Sequence, residues 1–207
     1  MAIPTEPIGS IPRPPSLIEA GGDLAAGRIT ADAYGKLAEA AVRETIAELE
    51  ATGSPVITDG EQAKPSFATY PLVGLEGLAS NGVVIGFADG HTRQLPRLTA
   101  GPFRYAHHAD RYLEVARRYA RVPVKQPVIA ASALSLIYPP DGIEGYPREA
   151  FLADLVAEAA DDIRSALDGG AHSVQIDFTE GRLAMKLDPF PCSLDEVSAV
   201  HRDRLPG

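Results

Sequence analysis

Two short runs of this sequence end in carboxylates. SVQID at 173–177 closes on Asp177, with Glu180 soon after, and PVITD at 55–59 is followed at once by Gly60-Glu61. A carboxylate at the end of a buried segment is expensive unless it meets a partner. In α/β folds the ligand sits at the carboxyl ends of the strands, which makes such residues candidates for holding one. Asp177 reads equally well as a cap on a following helix or as a partner of Arg182. A third stretch is Ile8-Gly9-Ser10. Its glycine lets another group approach the backbone closely, although a plain extended arm is the alternative. Cys192 and His201 lie nine apart, which is not the spacing of a zinc pair. They read as a linker cysteine and a surface histidine. His107-His108 read as a solvated helix end beside Asp110, His172 as a loop residue before a strand, and His91 as a neighbour of a hairpin turn. Glu180 and Arg182 suit a pocket mouth or an ion pair with each other.

The elements that must position these residues alternate. Five prolines in residues 3–16 exclude a helix there, and Ile8–Ser10 suits the end of a short strand. Arg28–Thr52 has helical periodicity, with Thr30 as N-cap and Gly53 as stop. Leu37, Ala41, Ile46 and Leu49 form its apolar side, and Lys36, Glu39, Arg43 and Glu50 its wet side. Pro55–Asp59 follows as a strand. Val83–Phe87 and Thr92–Leu95 flank Ala88-Asp89-Gly90, a hairpin signal. Arg104–Arg121 reads as a helix with Tyr105, Tyr112, Val115 and Tyr119 inward. A third strand centres on Val128-Ile129, limited by its prolines. A loop over Leu134–Tyr146, a helix over 148–168 stopped by Gly169-Gly170, and a buried strand at 173–177 complete the pattern. Repeated β–α units call for a parallel sheet with right-handed crossovers. After Asp188 the pattern fails, apart from a weak helical stretch at Ser193–His201.

Composition narrows the classes. The 207 residues suffice for one domain with a real core. Nineteen Lys+Arg against 28 Asp+Glu give a net charge of −9, and no basic run is present. That argues against nucleic acid or an anionic membrane as partner. No apolar stretch approaches the roughly 18 residues of a membrane span. MAIPTEPIGS has no signal-peptide character. A single cysteine excludes an internal disulfide and fits a reducing cytoplasm. There is no GxGxxG or P-loop pattern, which places an open nucleotide-binding sheet last.

Five ordered segments together resemble the cobalamin-independent methionine synthase family, in its catalytic C-terminal barrel. They are similar above all to the single-barrel homologues of actinobacteria. The segments are TEPIGSIPRP at 5–14, VITDGEQAKPSFATYPL at 56–72, FADGHTRQLPRLTAGPFRY at 87–105, VKQPVIAASALSL at 124–136 and GGAHSVQIDFTEGRLAMKLDP at 169–189. The resemblance implies a (β/α)8 barrel of TIM type, α/β in class, of which residues 1–189 are the N-terminal half. That half holds about four β–α units with a β-hairpin insertion. Residues 190–207 form a divergent tail. It further implies methyl transfer from a methyl-folate to homocysteine or a related thiol, such as the coenzyme M used by other members. On this resemblance Ile8, Gly9 and Ser10 contact the amino-acid part of the substrate, and Glu61 and Asp177 grip its α-amino group. Two carboxylates at neighbouring strand ends do suit an ammonium, and a glycine turn suits close approach.

The family's chemistry uses zinc to ionise the thiol. Its zinc ligands, a His-x-Cys pair, a further Cys and a Glu, have no counterpart here, because no His-x-Cys occurs. This chain alone is therefore expected to lack turnover. A truncated or frameshifted reading frame, or a half-barrel that works with a partner, would explain the departure. A non-catalytic half-barrel that binds a small ligand or a partner subunit is the alternative function. Four strands leave two open edges, so a homodimer or a complementary half-barrel is expected.

Overall fold

The computed structural model describes residues 5–86, 90 and 92–178. In chain order the elements are α1 (Pro15–Ala25), α2 (Ala31–Ala51), β1 (Leu78–Ala79), β2 (Val84–Gly86), β3 (Thr92–Gln94), β4 (Arg97–Leu98), α3 (Asp110–Tyr119), β5 (Lys125–Ile129), α4 (Ala131–Leu134), α5 (Arg148–Asp168) and β6 (Ser173–Asp177). The class is α/β, as the periodicity predicts, but among the described residues the strands form three two-stranded sheets rather than one parallel sheet. The chain divides into two compact units. The first comprises Met1–Tyr70, His107–Val128 and Asp162–Ile176, and the second comprises Pro71–Ala106, Ile129–Asp161 and Asp177–Gly207. Among the described residues no helix is long and apolar enough to cross a membrane.

In the first unit α2 supplies the main apolar face. The Thr30 hydroxyl accepts from the Ala33 amide at 3.2 Å, the expected cap. Ala38, Ala41, Val42, Thr45 and Ile46 are buried, the spacing of one helical stripe. Leu37 is the correction. It falls one position off that stripe and is 44% exposed. Val42 and Ile46 pack with Ile57, Leu113, Ala116, Val124, Ala166 and Ala171. The proline-rich arm also differs at its end from expectation. Helix α1 begins on Pro15, because the first turn needs no amide donor. Leu17 then joins Ala38 and Ala41 in the core.

Residues 8–11 form no strand. They form an irregular arm with a bend at Gly9, and the Ile11 amide donates to the Gly60 carbonyl at 3.1 Å. The PVITD run is likewise not a full strand but a single parallel bridge, Ile57 with Val124. Its polar groups are diverted: Ser54 Oγ donates to Val56 O at 2.6 Å and Thr58 Oγ1 to Gly9 O at 3.2 Å. Strand β5 is longer than its expected Val128-Ile129 core and is buried throughout, with Pro127 inside it. Strand β6 has the expected bounds and pairs with β5. The bonds His172 N to Val124 O and Ala130 N to Asp177 O advance together along both chains, so the pairing is parallel. All five residues of β6 are half-buried, not buried as expected.

In the second unit the predicted hairpin is present. Val84, Ile85 and Gly86 face Gln94, Arg93 and Thr92. Its turn at 87–89 and His91 lie outside the described residues. A second antiparallel pair, β1 with β4, was not predicted. The helix expected from Arg104 starts only at Asp110, because the preceding amides are taken by side chains. Phe103 N donates to the Tyr146 hydroxyl at 2.9 Å and Tyr105 N to Glu158 at 2.8 Å. The expected loop at Leu134–Tyr146 opens instead with helical turns, the end of α4 and Ser135–Ile137. Gly101 is required where it stands, since a Cβ there would lie 2.3 Å from the Tyr146 ring.

Tyr146 carries a pH prediction. Burial, and next the bond its hydroxyl donates to Asp154 at 2.6 Å, push its phenol from the ordinary 10 up to about 12. A raised folded-state value favours the protonated form on folding. The stabilisation is complete below the ordinary phenol value of about 10 and is lost as the pH rises toward about 12. Urea unfolding at pH values either side of this window should show a smaller alkaline loss in Tyr146→Phe than in the parent. Equal losses in the two proteins would refute the assignment.

Candidate functional site

The candidate site lies in the first unit, where the arm meets the turn that follows Ile57. That turn, Thr58–Lys64, is almost wholly buried although it is rich in polar side chains. Its backbone is unusual. Gly60 and Glu61 have φ of +64° and +55°, and Glu61 is the one non-glycine residue with positive φ among those described. A left-handed conformation at a glutamate is strained and persists only where its surroundings hold it. They do so on both sides. The Glu61 amide donates to Asp59 Oδ1 at 2.8 Å, and the Glu61 carbonyl accepts from the Arg13 guanidinium at 3.1 Å. Arg13 also donates to the carbonyls of Gln62 and Lys64, so one side chain of the arm clamps the turn. Gly60 itself admits no side chain. A Cβ there would lie 2.7 Å from Thr45 Cγ2 and 2.8 Å from Ile11 Cγ1.

This backbone aims the Glu61 carboxylate inward. Glu61 is 2% exposed and Lys64 fully buried, and Lys64 Nζ donates to Glu61 Oε1 at 2.7 Å. The ammonium also donates to the Pro127 carbonyl at 2.7 Å and stands 4.4 Å from the centre of the Tyr70 ring. Partners on this scale are what a buried ion pair needs to offset its desolvation. The other carboxylate oxygen, Oε2, accepts from the Ser10 hydroxyl. Gly9 is buried against Pro127, whose Cγ would lie 3.1 Å from any Cβ added at Gly9. Ile8, beside it, is exposed. The Tyr70 hydroxyl donates to Asp162, which also accepts from the Ala109 amide at 2.6 Å. Burial pushes both the Asp59 and Asp162 carboxyls above the usual range. Lys64 is the first opposing influence on Asp59, and the Tyr70 hydrogen bond is the first on Asp162.

The structure therefore brings Gly9 and Ser10 to Glu61 across some 51 residues of sequence. Asp177 lies in the second unit, half-buried at the end of β6, with its carbonyl accepting from Ala130 at 3.2 Å. Sequence reading noted Asp59 only as the end of the PVITD run, and it missed Arg13, Lys64, Tyr70 and Asp162. Lys64 had a signal, since it follows Glu61 by three residues. Tyr70 and Asp162 had none, being 92 residues apart.

Among the described residues no group of three or more His, Cys, Asp or Glu is placed to hold a metal ion. At this site the Glu61 carboxylate is paired with the Lys64 ammonium, and Asp162 accepts from Tyr70 and Ala109. Cys192, His201, Glu180 and Arg182 lie outside the described residues.

No protein-family model matches the chain, and no curated protein matches it in sequence. Solved structures match it in fold. One is a candidate vitamin-B12 independent methionine synthase from Listeria monocytogenes, with a TM-score of 0.69 at 19% identity over 96% of this chain and 60% of that one. Another is a B12-independent methionine synthase from Shewanella sp. W3-18-1 in complex with selenomethionine. Its TM-score is 0.64 at 16% identity, over 84% of this chain and 51% of that one. At such identities the likeness is one of fold. The chain spans between 51% and 60% of the length of these two proteins.

Proposed function

We propose that this chain carries the amino-acid anchor of a methionine-synthase-like methyltransferase, which passes a methyl group from a methyl-folate to homocysteine or a related thiol. Ile8, Gly9 and Ser10 contact the amino-acid part of the thiol, and Glu61 and Asp177 take its ammonium. The observation that carries this reading is the buried Glu61 carboxylate, presented by a strained turn directly beside Gly9-Ser10. A fold shared with a methionine synthase solved with selenomethionine supports it. Residues 1–189 form the half-barrel of this reading, and residues 190–207 its tail. None of these residues is assigned to zinc, because among the described residues no group of three or more His, Cys, Asp or Glu is placed to hold a metal ion.

Calorimetry with L-homocysteine tests the anchor. Glu61→Gln and Asp177→Asn are each expected to weaken binding by about 1–3 kcal/mol, the range for losing a hydrogen bond to a charged group. Unchanged affinity in both variants would refute the anchor.

A second reading is favoured by a specific observation. Glu61 is already occupied by Lys64 and Ser10, as in a purely structural ion pair. On that reading the chain is a non-catalytic half-barrel that binds a small ligand or a partner subunit. Retained ligand binding with no methyl transfer, in the presence of added zinc and a methyl-folate, would select it.

The half-barrel reading also bears on assembly. Among the described residues β6 has β5 as its only strand neighbour, and all its residues are half-buried. Val174 and Ile176 are already half-buried, so covering them fully is worth about half of the roughly 1.5–3 kcal/mol that burying an exposed side chain contributes. Light scattering at micromolar concentration is expected to find a homodimer, a complex with a complementary half or aggregates. A monodisperse monomer of 21.9 kDa that unfolds cooperatively would refute this expectation.

A further inference from the structure

Asp59 is the group at this site that the proposed function leaves unused. It is 1% exposed, and its Oδ1 accepts from the Glu61 amide at 2.8 Å. Its Oδ2 is buried and has no hydrogen-bond partner among the described residues. A buried carboxylate oxygen with no donor is costly, and a native site that keeps one calls for an explanation. The nearest cation in the sequence, Lys64, is fully buried and spends its bonds elsewhere, on Glu61 Oε1 and the Pro127 carbonyl. Asp162 offers Lys64 no better alternative, since Tyr70 and Ala109 already occupy its two oxygens.

We propose that Lys64 is a resident counter-ion, displaced from Glu61 by the ammonium of an amino-acid ligand, and that Asp59 Oδ2 receives it. This rests on reading Glu61 as the ammonium anchor. Without ligand, Glu61 would be a buried unpaired charge, and Lys64 cancels it. An arriving ammonium competes for Oε1. Lys64 then needs another carboxylate, and Asp59 holds the open oxygen. Lysine carries its ammonium on a flexible four-carbon stem, the kind of side chain such an exchange needs. Lys64 is the first influence opposing the rise that burial imposes on the Asp59 carboxyl. The exchange makes Lys64 and Asp59 specificity-determining. A ligand without an amine cannot take Lys64's place on Glu61, so it leaves the internal pair intact and binds poorly.

The sequence contains four lysines, at 36, 64, 125 and 186, so their side-chain signals are separable by NMR of protein labelled at lysine Cε and Nζ. Lys64→Arg assigns the signal of interest. L-methionine is the probe, and 4-(methylthio)butanoate, which lacks the amine, is the control. In the parent protein the Lys64 signal is expected to shift on adding L-methionine and to stay unmoved with the control. In Asp59→Asn the receiving charge is gone. L-methionine affinity should then fall at least about tenfold, the effect of losing one charge-assisted bond, with no Lys64 shift. Saturable binding of L-methionine with an unmoved Lys64 signal in the parent would overturn the exchange and leave the anchor standing. So would undiminished affinity in a folded Asp59→Asn. Failure of L-methionine and L-homocysteine to bind the parent would overturn the anchor and the exchange together. If Asp59→Asn does not fold, the shift in the parent decides.

Discussion

Replacing Lys64 with methionine is expected to cost about 3–5 kcal/mol of stability, the range for breaking a buried ion pair from one side. The cause is the charge left behind. Glu61 is 2% exposed, and with Lys64 gone it keeps only the Ser10 hydroxyl as a described donor to its carboxylate. Methionine fills the volume of the lysine stem beside Tyr70, so the loss reports charge more than cavity. The double variant Lys64→Met, Glu61→Gln separates the two. With both charges removed, a large part of the lost stability should return, since a buried pair as a unit is worth little compared with a polar or apolar replacement. Urea unfolding of the parent, both single variants and the double variant completes the cycle. A single-variant loss below about 1 kcal/mol, as for a surface pair, would show that Glu61 does not depend on Lys64.

Phe151→Ala is expected to have a comparable effect, about 3–5 kcal/mol, in the second unit. Phe151 is fully buried. Its ring stacks on Tyr138 at 5.1 Å between centres and meets Phe103 edge-on at 5.4 Å and Tyr146 at 6.5 Å. Three aromatic neighbours cannot all collapse into the space a benzyl group leaves, because the backbone near two of them is tied. Phe103 N is bound to the Tyr146 hydroxyl, and Gly101 lies flush against the Tyr146 ring. The exposed hairpin residue Val84 is the control, and Val84→Ala should change stability by less than about 0.5 kcal/mol. Near-equal effects of Phe151→Ala and Val84→Ala would show that this aromatic cluster is not a core.

Both predictions turn on contacts that the sequence displays unevenly. Where periodicity is long and local, reading the sequence works. The bounds of α5 and β6 and the Thr30 cap of α2 are all visible in the order of residues, because each depends on neighbours within a few positions. The hairpin pairing of β2 with β3 belongs to the same group. Where a distant side chain captures a backbone group, local reading fails. Tyr146 and Glu158 take the amides of Phe103 and Tyr105, and a run with good helical periodicity from Arg104 becomes an irregular segment that enters α3 late. The PVITD run shows the converse. Its apolar pattern is that of a strand, yet the Ser54 hydroxyl takes the Val56 carbonyl, and one parallel bridge remains.

The candidate site divides along the same line. By itself the sequence determined which residue types were available: a glycine at Gly9, a carboxylate at Glu61 after a short apolar run, a second carboxylate at Asp177, and a net charge of −9. Local spacing determined that Glu61 and Lys64 were within reach of each other. Only the tertiary structure decided that Ser10 meets Glu61, that Arg13 clamps the turn from the arm, and that Tyr70 is tied to Asp162. It alone decided that Lys64 is buried on Glu61 while one oxygen of Asp59 is left without a donor among the described residues. The reason is physical. A local pattern fixes which groups face one side of an element. The protonation state, partner and cost of a charge depend on how completely water is removed around it, and distant parts of the chain set that when they close over the turn.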